Sequence, residues 1–506
     1  MIKVYLDWNI ISSIKQGNLQ ELKSILEFKE KFLVPYSTSH IGDIFASHSE
    51  SEVQKERIQK DLEYITSITD NNCFFNDGKG NIQLGFMNPI ELYEERIDSQ
   101  DLFRDFSIDK LFAPFDIDDD DEVIAPLITL LKGLLKSIPL DNTFKEAFKN
   151  PEITKEMEKM FPDLKDNLTF EGWFKTFGNM YNRLNDTEDY KGLREAVQKI
   201  GVNSSHFSQG KNPYDVIGDA YQKLGTNPFE TNSDLVSSKN TPDWFNELSN
   251  EYILLDMHGY KQDKVKVDNK NKQTFRNTTD DAFHSAFASR CDFYITSDKK
   301  NIDKSKAIYK KFGVETCVMT PDEFTEYYND FLDIHSFDEH LSNLIDVIKK
   351  GKGYYKFGNE YDEKGEPFSF VGFSNHYFFN FFNKVRICTS SSNGTFYLLT
   401  KEHPSRIYYI AYKEIENVLK MFVNHFGVDD NGKERYKTGE MNDYEWEGRK
   451  WTLDTIEVTI KRVNGWFQLY IYPMEEESKN IITKITKFFR KMFKSNNKNA
   501  TRFFKT

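Results

Sequence analysis

Two short apolar runs that each end in an aspartate constrain this chain more than any bulk property. Ile2-Lys-Val-Tyr-Leu-Asp7 and Cys291-Asp-Phe-Tyr-Ile-Thr-Ser-Asp298 read as strands, and helical periodicity follows each of them. Two further acids, Asp43 in His40-Ile-Gly-Asp43 and Asp281 in Asp280-Asp281-Ala-Phe-His284, sit where helices are expected to begin. Strand–helix alternation implies a parallel, doubly wound α/β sheet, in which the carboxyl ends of the strands and the turns after them share one edge. Four carboxylates on that edge repel one another unless a cation neutralises them, and oxygen ligands suit Mg²⁺ or Mn²⁺.

The alternation covers only parts of the chain. It predicts strands at Ile2–Leu6 and Phe32–Tyr36, with helix over Asn9–Gln16, Leu19–Phe28 and from about Ser39. It resumes with a helix over Thr279–Ala288, a strand at Phe293–Thr296, a helix near Lys304–Phe312 and a strand at Val314–Met319. Between them, from about Glu50 to Lys272, the periodicity is mainly helical, with its clearest amphipathic stripe at Val123–Ile138. After Ser336 the pattern becomes antiparallel α+β. Asn464-Gly465 joins two alternating runs as a hairpin, and Val385–Thr389 with Thr395–Thr400 forms a second around Asn393-Gly394. Ile407–Tyr412 reads as strand and Glu414–Phe426 as helix. The expected units are therefore 1–48 and 275–335 as one α/β domain, 49–274 as a helical insertion, 336–480 as an α+β domain, and 481–506 as a basic amphipathic tail.

At 506 residues, two or three such units are expected. Cys73, Cys291, Cys317 and Cys388 are widely spaced, with neither a CxxC pair nor a disulfide-like framework, and no apolar run approaches the roughly 20 residues of a membrane span. No secretory apolar stretch precedes the first strand, so a reduced, cytoplasmic setting is the expectation. The net charge of −13 hides an asymmetry. From Ser336 onward 27 basic residues face 22 acidic ones, whereas the first 335 residues carry 40 against 58. Such a body can still bind phosphate locally, because the Debye length is only about 8 Å at physiological salt.

Read with their neighbours, the four acids form a recognisable series: Leu-Asp7-Trp-Asn9, Pro-Tyr-Ser37-Thr-Ser-His-Ile-Gly-Asp43, Asp281-Ala-Phe-His284, and Thr296-Ser297-Asp298. In this order the motifs closely resemble those of the PIN-domain ribonucleases, over roughly residues 1–48 and 275–330. The resemblance implies that Asp7, Asp43, Asp281 and Asp298 hold Mg²⁺ or Mn²⁺, that Asn9 and Ser37 orient those ligands, and that Thr296 or Ser297 supplies the hydroxyl before the last acid. It further implies metal-assisted hydrolysis of RNA to 5′-phosphate and 3′-hydroxyl ends, the cation lowering the pKa of a bound water.

Several bland readings compete with these roles. Asp280 is expected to serve the helix dipole only, and His284 to pack in the core or support the site. Asn9 could merely cap a helix, and Asp292, at the amino end of its strand, is excluded from the site. Lys264, Lys266, Lys270, Lys272, Arg276 and Lys299 are the candidate contacts to a substrate backbone, against a solvated loop. The acidic run Asp116–Glu122 lacks the glycine and spacing of a calcium loop. A regulatory protein or a second copy of the chain are the other partners considered. The accessory units suit a toxin-type or antiviral RNA-cleaving effector by analogy of architecture alone. The alternatives are a non-hydrolytic RNA-binding scaffold of the same fold and a DNA-directed nuclease of related fold.

Overall fold

In a computed structural model the chain forms two main sheets of opposite character. The structure describes all residues except 30, 47–50, 78, 100–182, 185–186, 201, 209, 225–240, 268–271, 351–353, 362–366, 391–393, 402–407, 438, 442–445, 454–455, 464 and 474–506. The Val123–Ile138 stripe, the acidic run Asp116–Glu122, Lys270, Asn393, Asn464 and the basic tail of 481–506 lie outside the described residues.

In chain order, the first elements are β1 (Ile2–Leu6), α1 (Trp8–Lys15), α2 (Gln20–Leu26), β2 (Phe32–Leu33), β3 (Tyr36–Ser37), α3 (Thr38–Phe45) and α4 (Glu52–Thr69). Then come β4 (Asn72–Asn76), β5 (Ile82–Phe86), α5 (Pro89–Ser99), α6 (Asp189–Ile200), α7 (Pro213–Leu224) and α8 (Asp243–Met257). A short pair, β6 (Lys266–Val267) and β7 (Lys272–Gln273), leads to α9 (Phe275–Ala288), β8 (Phe293–Ile295), α10 (Lys299–Phe312), β9 (Cys317–Met319) and α11 (Pro321–Tyr327).

The parallel sheet has the order β2-β1-β8-β9. Its register pairs Ile2 with Phe32, Val4 with Phe293, Leu6 with Ile295, and Ile295 with Met319. Alternation along β1 sends Ile2, Val4 and Leu6 to a core shared with α1, α2 and α4, and Tyr5 to a second core shared with α8, α9 and α10. Both faces are covered, as a parallel sheet requires. The strands beside β1 come from residues 32–33 and 293–295, so this one sheet is assembled from widely separated parts of the chain.

Three local expectations change here. Phe32–Tyr36 is not one strand: Pro35, which has no N–H for a ladder, separates β2 from β3, and β3 pairs instead with β4. The segment read as mainly helical therefore contains strands, since β4 and β5 form an antiparallel pair that extends from Tyr36 and Ser37. Helix α9 begins at Phe275, with the Asn277 side chain accepting the Thr274 N–H, so Asp280 and Asp281 lie beyond the first turn. The dipole argument for Asp280 falls with that.

The second sheet is antiparallel, with the order β10-β11-β12-β13-β16-β15-β14. It comprises β10 (Tyr354–Tyr361), β11 (Pro367–Phe378), β12 (Phe382–Ser390), β13 (Gly394–Thr400), β14 (Arg449–Thr452), β15 (Ile456–Val463) and β16 (Trp466–Pro473), with α12 (Phe337–Lys350) and α13 (Tyr408–Phe426). Both hairpins read from the sequence are present: Val463 pairs with Trp466, and Thr389 with Thr395. The strand expected at Ile407–Tyr412 is instead the start of α13. Strand propensity is strongly context-dependent, and once the stripe Val418, Leu419, Phe422 and Val423 is buried, extending a helix is far cheaper than nucleating one. Tyr377, at the end of β11, packs in the first core with its ring 6.2 Å from Phe293. No helix among the described residues is long and apolar enough to cross a membrane.

Candidate metal centre

The order β2-β1-β8-β9 reverses direction between β1 and β8, and open sheets of this kind bind ligands just outside the carboxyl ends of the strands at that point. Asp7 directly follows β1, and Asp298 follows β8 after Thr296 and Ser297. The sheet thus delivers both acids to its crevice by backbone geometry alone.

Asp7 is buried and held on one side only. Its Oδ2 accepts from Asn9 Nδ2 at 2.7 Å and from the Thr296 hydroxyl at 2.6 Å. The Thr296 Oγ1 in turn accepts the Asp298 N–H at 3.1 Å. Asn9 Oδ1 accepts the Ser297 N–H at 3.4 Å, clamping the two strand ends together. The hydroxyl left open between Thr296 and Ser297 is therefore that of Thr296, and Asn9 is more than a helix cap. Asp298 caps α10, its Oδ1 accepting the N–H groups of Lys300 (2.7 Å) and Asn301 (3.2 Å). This is why the helix starts at Lys299 rather than near Lys304.

Asp43 and Asp281 reach the crevice from α3 and α9. The Asp43 Oδ2 accepts from His284 Nε2 at 2.8 Å. One carboxylate oxygen each of Asp7 and Asp43 and a His284 ring nitrogen lie within 4.8 Å of one another. Burial, and then the charges of Asp263 and Asp7, push Asp281 well above the usual carboxylate range, and burial likewise raises Asp7. Asp298 adds to both shifts, and Asp7 to that of Asp281.

Ser37 does not touch any of these carboxylates. Its Oγ accepts the Ser39 N–H at 3.2 Å as the cap of α3 and lies 2.6 Å from the Tyr5 hydroxyl, so its expected orienting role is at most indirect. Asp280, expected to be a bystander, lies near Asp43, Arg276 and Arg96. Burial and the Asp43 charge push it up to about 7. Its Oδ2 is 3.9 Å from Arg276 Nε, and Arg276 and Arg96 both stack on the Phe45 ring. Asp292 accepts the Lys3 N–H at the opposite end of the sheet.

Two residues escaped the sequence reading altogether. Asp263, in the turn after α8, has a charge that Asp281 feels. Lys304, fully buried on α10, lies 2.9 Å from Asp263 and 3.2 Å from the buried Asp256. Arg194, from α6, adds a 3.0 Å bond to Asp256. A lysine amid Lys299-Lys-Asn-Ile-Asp-Lys304 reads as a solvated face, and only the approach of α8 buries it. Lys264, Lys266 and Lys299 are exposed, while Lys300 Nζ reaches the Gln262 carbonyl at 2.7 Å and ties the start of the β6–β7 segment to the mouth of α10. Lys272 lies in β7.

Among the described residues only Asp7, Asp43 and His284 lie within ligand distance of one another, and their carboxylate oxygens are of the kind a hard divalent cation takes. Asp7 Oδ1, Asp43 Oδ1, Asp298 Oδ2 and both Asp281 oxygens have no hydrogen-bond partner among the described residues, whereas the opposite oxygens of the first three are anchored. Comparison with protein families, with curated proteins and with solved structures finds no match to this chain.

Proposed function

We propose that this chain is a metal-dependent endoribonuclease of PIN-like type, with Asp7, Asp43, Asp281 and Asp298 holding Mg²⁺ or Mn²⁺. The observation that carries the reading is the close grouping of Asp7 and Asp43 beside His284 at the switch point of a parallel sheet, with Asp298 near enough to add to the shift of Asp7 and Asp7 and Asp298 near enough to add to that of Asp281. A non-hydrolytic scaffold gains nothing from such repulsion. A divalent cation bound there would favour the ionised forms of Asp7 and Asp281, activate water and offset charge developing on the phosphate.

The protein's own groups do the positioning. Asn9 and Thr296 fix Asp7, the first turn of α10 fixes Asp298, and Asp43 accepts a hydrogen bond from His284. Water attacks phosphorus, the P–O3′ bond breaks, the 3′ oxygen takes up a proton, and the phosphate stays on the 5′ side. Exposed Lys264, Lys266 and Lys299, the last next to Asp298, and Arg276 beside Asp280 are the candidate contacts to flanking phosphates.

The test is cleavage of end-labelled single-stranded RNA, structured RNA and single-stranded DNA with Mn²⁺, Mg²⁺ or EDTA. Native protein is compared with Asp7→Asn and Asp298→Asn. Metal-dependent RNA cutting lost in both variants is expected. Equal cutting by the variants refutes the assignment, and cutting confined to DNA replaces it with the DNA-directed alternative.

A further inference from the structure

His284 is fully buried, yet both of its ring nitrogens are used: Nε2 meets Asp43 Oδ2 at 2.8 Å and Nδ1 meets the Tyr5 hydroxyl at 2.8 Å. An ionised carboxylate only accepts, so Nε2 carries the proton of the first bond. Behind it the chain of contacts continues inward, from Tyr5 to Ser37 Oγ at 2.6 Å. Ser37 also donates its backbone N–H to His40 Nδ1 at 3.0 Å, which leaves His40 Nε2 to donate to the Leu6 carbonyl at 2.8 Å. Tyr5, Ser37 and His40 are all fully buried, and Leu6 is the residue before Asp7. One polar chain therefore runs from Asp43, through β1 and the start of α3, back to the strand end that presents Asp7.

We infer that His284, braced by Tyr5, is a positioning residue that fixes the Asp43 carboxylate for a divalent cation and is not itself a ligand. The inference rests on the metal-dependent reading above. The close Asp7–Asp43–His284 trio invites the opposite view, that the imidazole binds the cation. The partners on both nitrogens oppose it, because coordination would sacrifice either the Asp43 bond or the Tyr5 bond. Asp43 has no other hydrogen bond among the described residues, so this bond is the polar contact that orients it.

The experiment is Mn²⁺ titration calorimetry on the full chain, paired with pulsed electron paramagnetic resonance of bound Mn²⁺. His284→Asn and His284→Gln are compared, with circular dichroism melts to check folding. The Gln amide can reach Asp43 and the shorter Asn cannot. His284→Asn is expected to weaken Mn²⁺ binding by about 10-fold or more, the usual range for residues behind a ligand. His284→Gln is expected to recover most of that, and Tyr5→Phe to lose about 3-fold. In an Asp43→Asn background, His284→Asn is expected to add less than about 2-fold, because its effect acts through Asp43. Native protein is expected to show no directly bonded ¹⁴N coupling to Mn²⁺. Such a coupling, lost in the His284 variants, would make the histidine a ligand and overturn the inference. So would unchanged affinity in His284→Asn. Native protein that binds no Mn²⁺ removes both this inference and the nuclease reading. Mn²⁺ binding with the expected variant pattern but no RNA cleavage removes only the nuclease reading.

Discussion

Replacing Lys304 with methionine tests whether the floor beneath the carboxylates is held by charge. The substitution keeps most of the unbranched stem and removes the cation, together with the contact of its ammonium to the Tyr252 ring 4.2 Å away. Asp256 then keeps Arg194 at 3.0 Å, the Tyr190 hydroxyl at 2.9 Å and the Asp263 N–H at 2.7 Å. Asp263 loses its 2.9 Å ion pair and retains a weak 3.4 Å bond from Thr278. Breaking one side of a buried pair costs roughly 3–5 kcal/mol. The surviving Arg194 and the partial exposure of Asp263 place Lys304→Met near the lower end, about 3 kcal/mol. Since every 1.4 kcal/mol is about tenfold in an equilibrium constant, amides of α8 and α10 should exchange hydrogen roughly 100-fold faster if they exchange by opening this unit. Amides of the seven-stranded sheet, which carries none of these partners, should be unchanged. Hydrogen-exchange mass spectrometry at fixed pH reads both. Acceleration below about fivefold in α8 and α10, or equal acceleration in both sheets, would refute the reasoning.

Three further outcomes are expected. Asp298→Asn should leave stability within about 0.5 kcal/mol, because Asn caps a helix as well as Asp does, yet lower metal-dependent cleavage by on the order of 100-fold; matched thermal melts and cleavage rates check this. Gly448→Ala should cost at least about 2 kcal/mol, seen as a lower denaturation midpoint by tryptophan fluorescence, because φ is +94° and a Cβ would lie 1.9 Å from the Ile460 carbonyl oxygen. Burial lowers His340 to about 4, so its stabilising effect is complete above the unfolded value of about 6.5 and is lost as pH falls through 4. That shift corresponds to about 3 kcal/mol at most, and denaturant titrations from pH 7 to pH 4 should show a shallower loss for His340→Asn than for native protein.

How much of this was legible in sequence follows from the range of each interaction. Period-two apolar runs located β1 and β8, and Asn-Gly located the last hairpin, because each signal spans only a few residues. The acids at strand ends were legible for the same reason: a chain that leaves a parallel strand for a helix puts its next residues on one edge. Pro35 was visible too, although its consequence, the diversion of Tyr36 to β4, required a partner strand found only in the folded chain.

By itself, then, the sequence determined the alternation of strand and helix, the placing of Asp7 and Asp298 on a common edge, and the antiparallel character of the later strands. Tertiary structure decided which polar groups face one another. The bond from His284 to Asp43 spans 241 positions and that from Thr296 to Asp7 spans 289, and no local period encodes either. It also decided that Lys304 is an interior cation rather than a solvated one, that Asp280 belongs beside Asp43, and that Ser37 reaches the site indirectly, through Tyr5 and His284 and through His40. The physical reason is the same throughout. Periodicity records which face of an element is buried, whereas a buried polar group is defined by its partner, and that partner arrives only when distant elements pack.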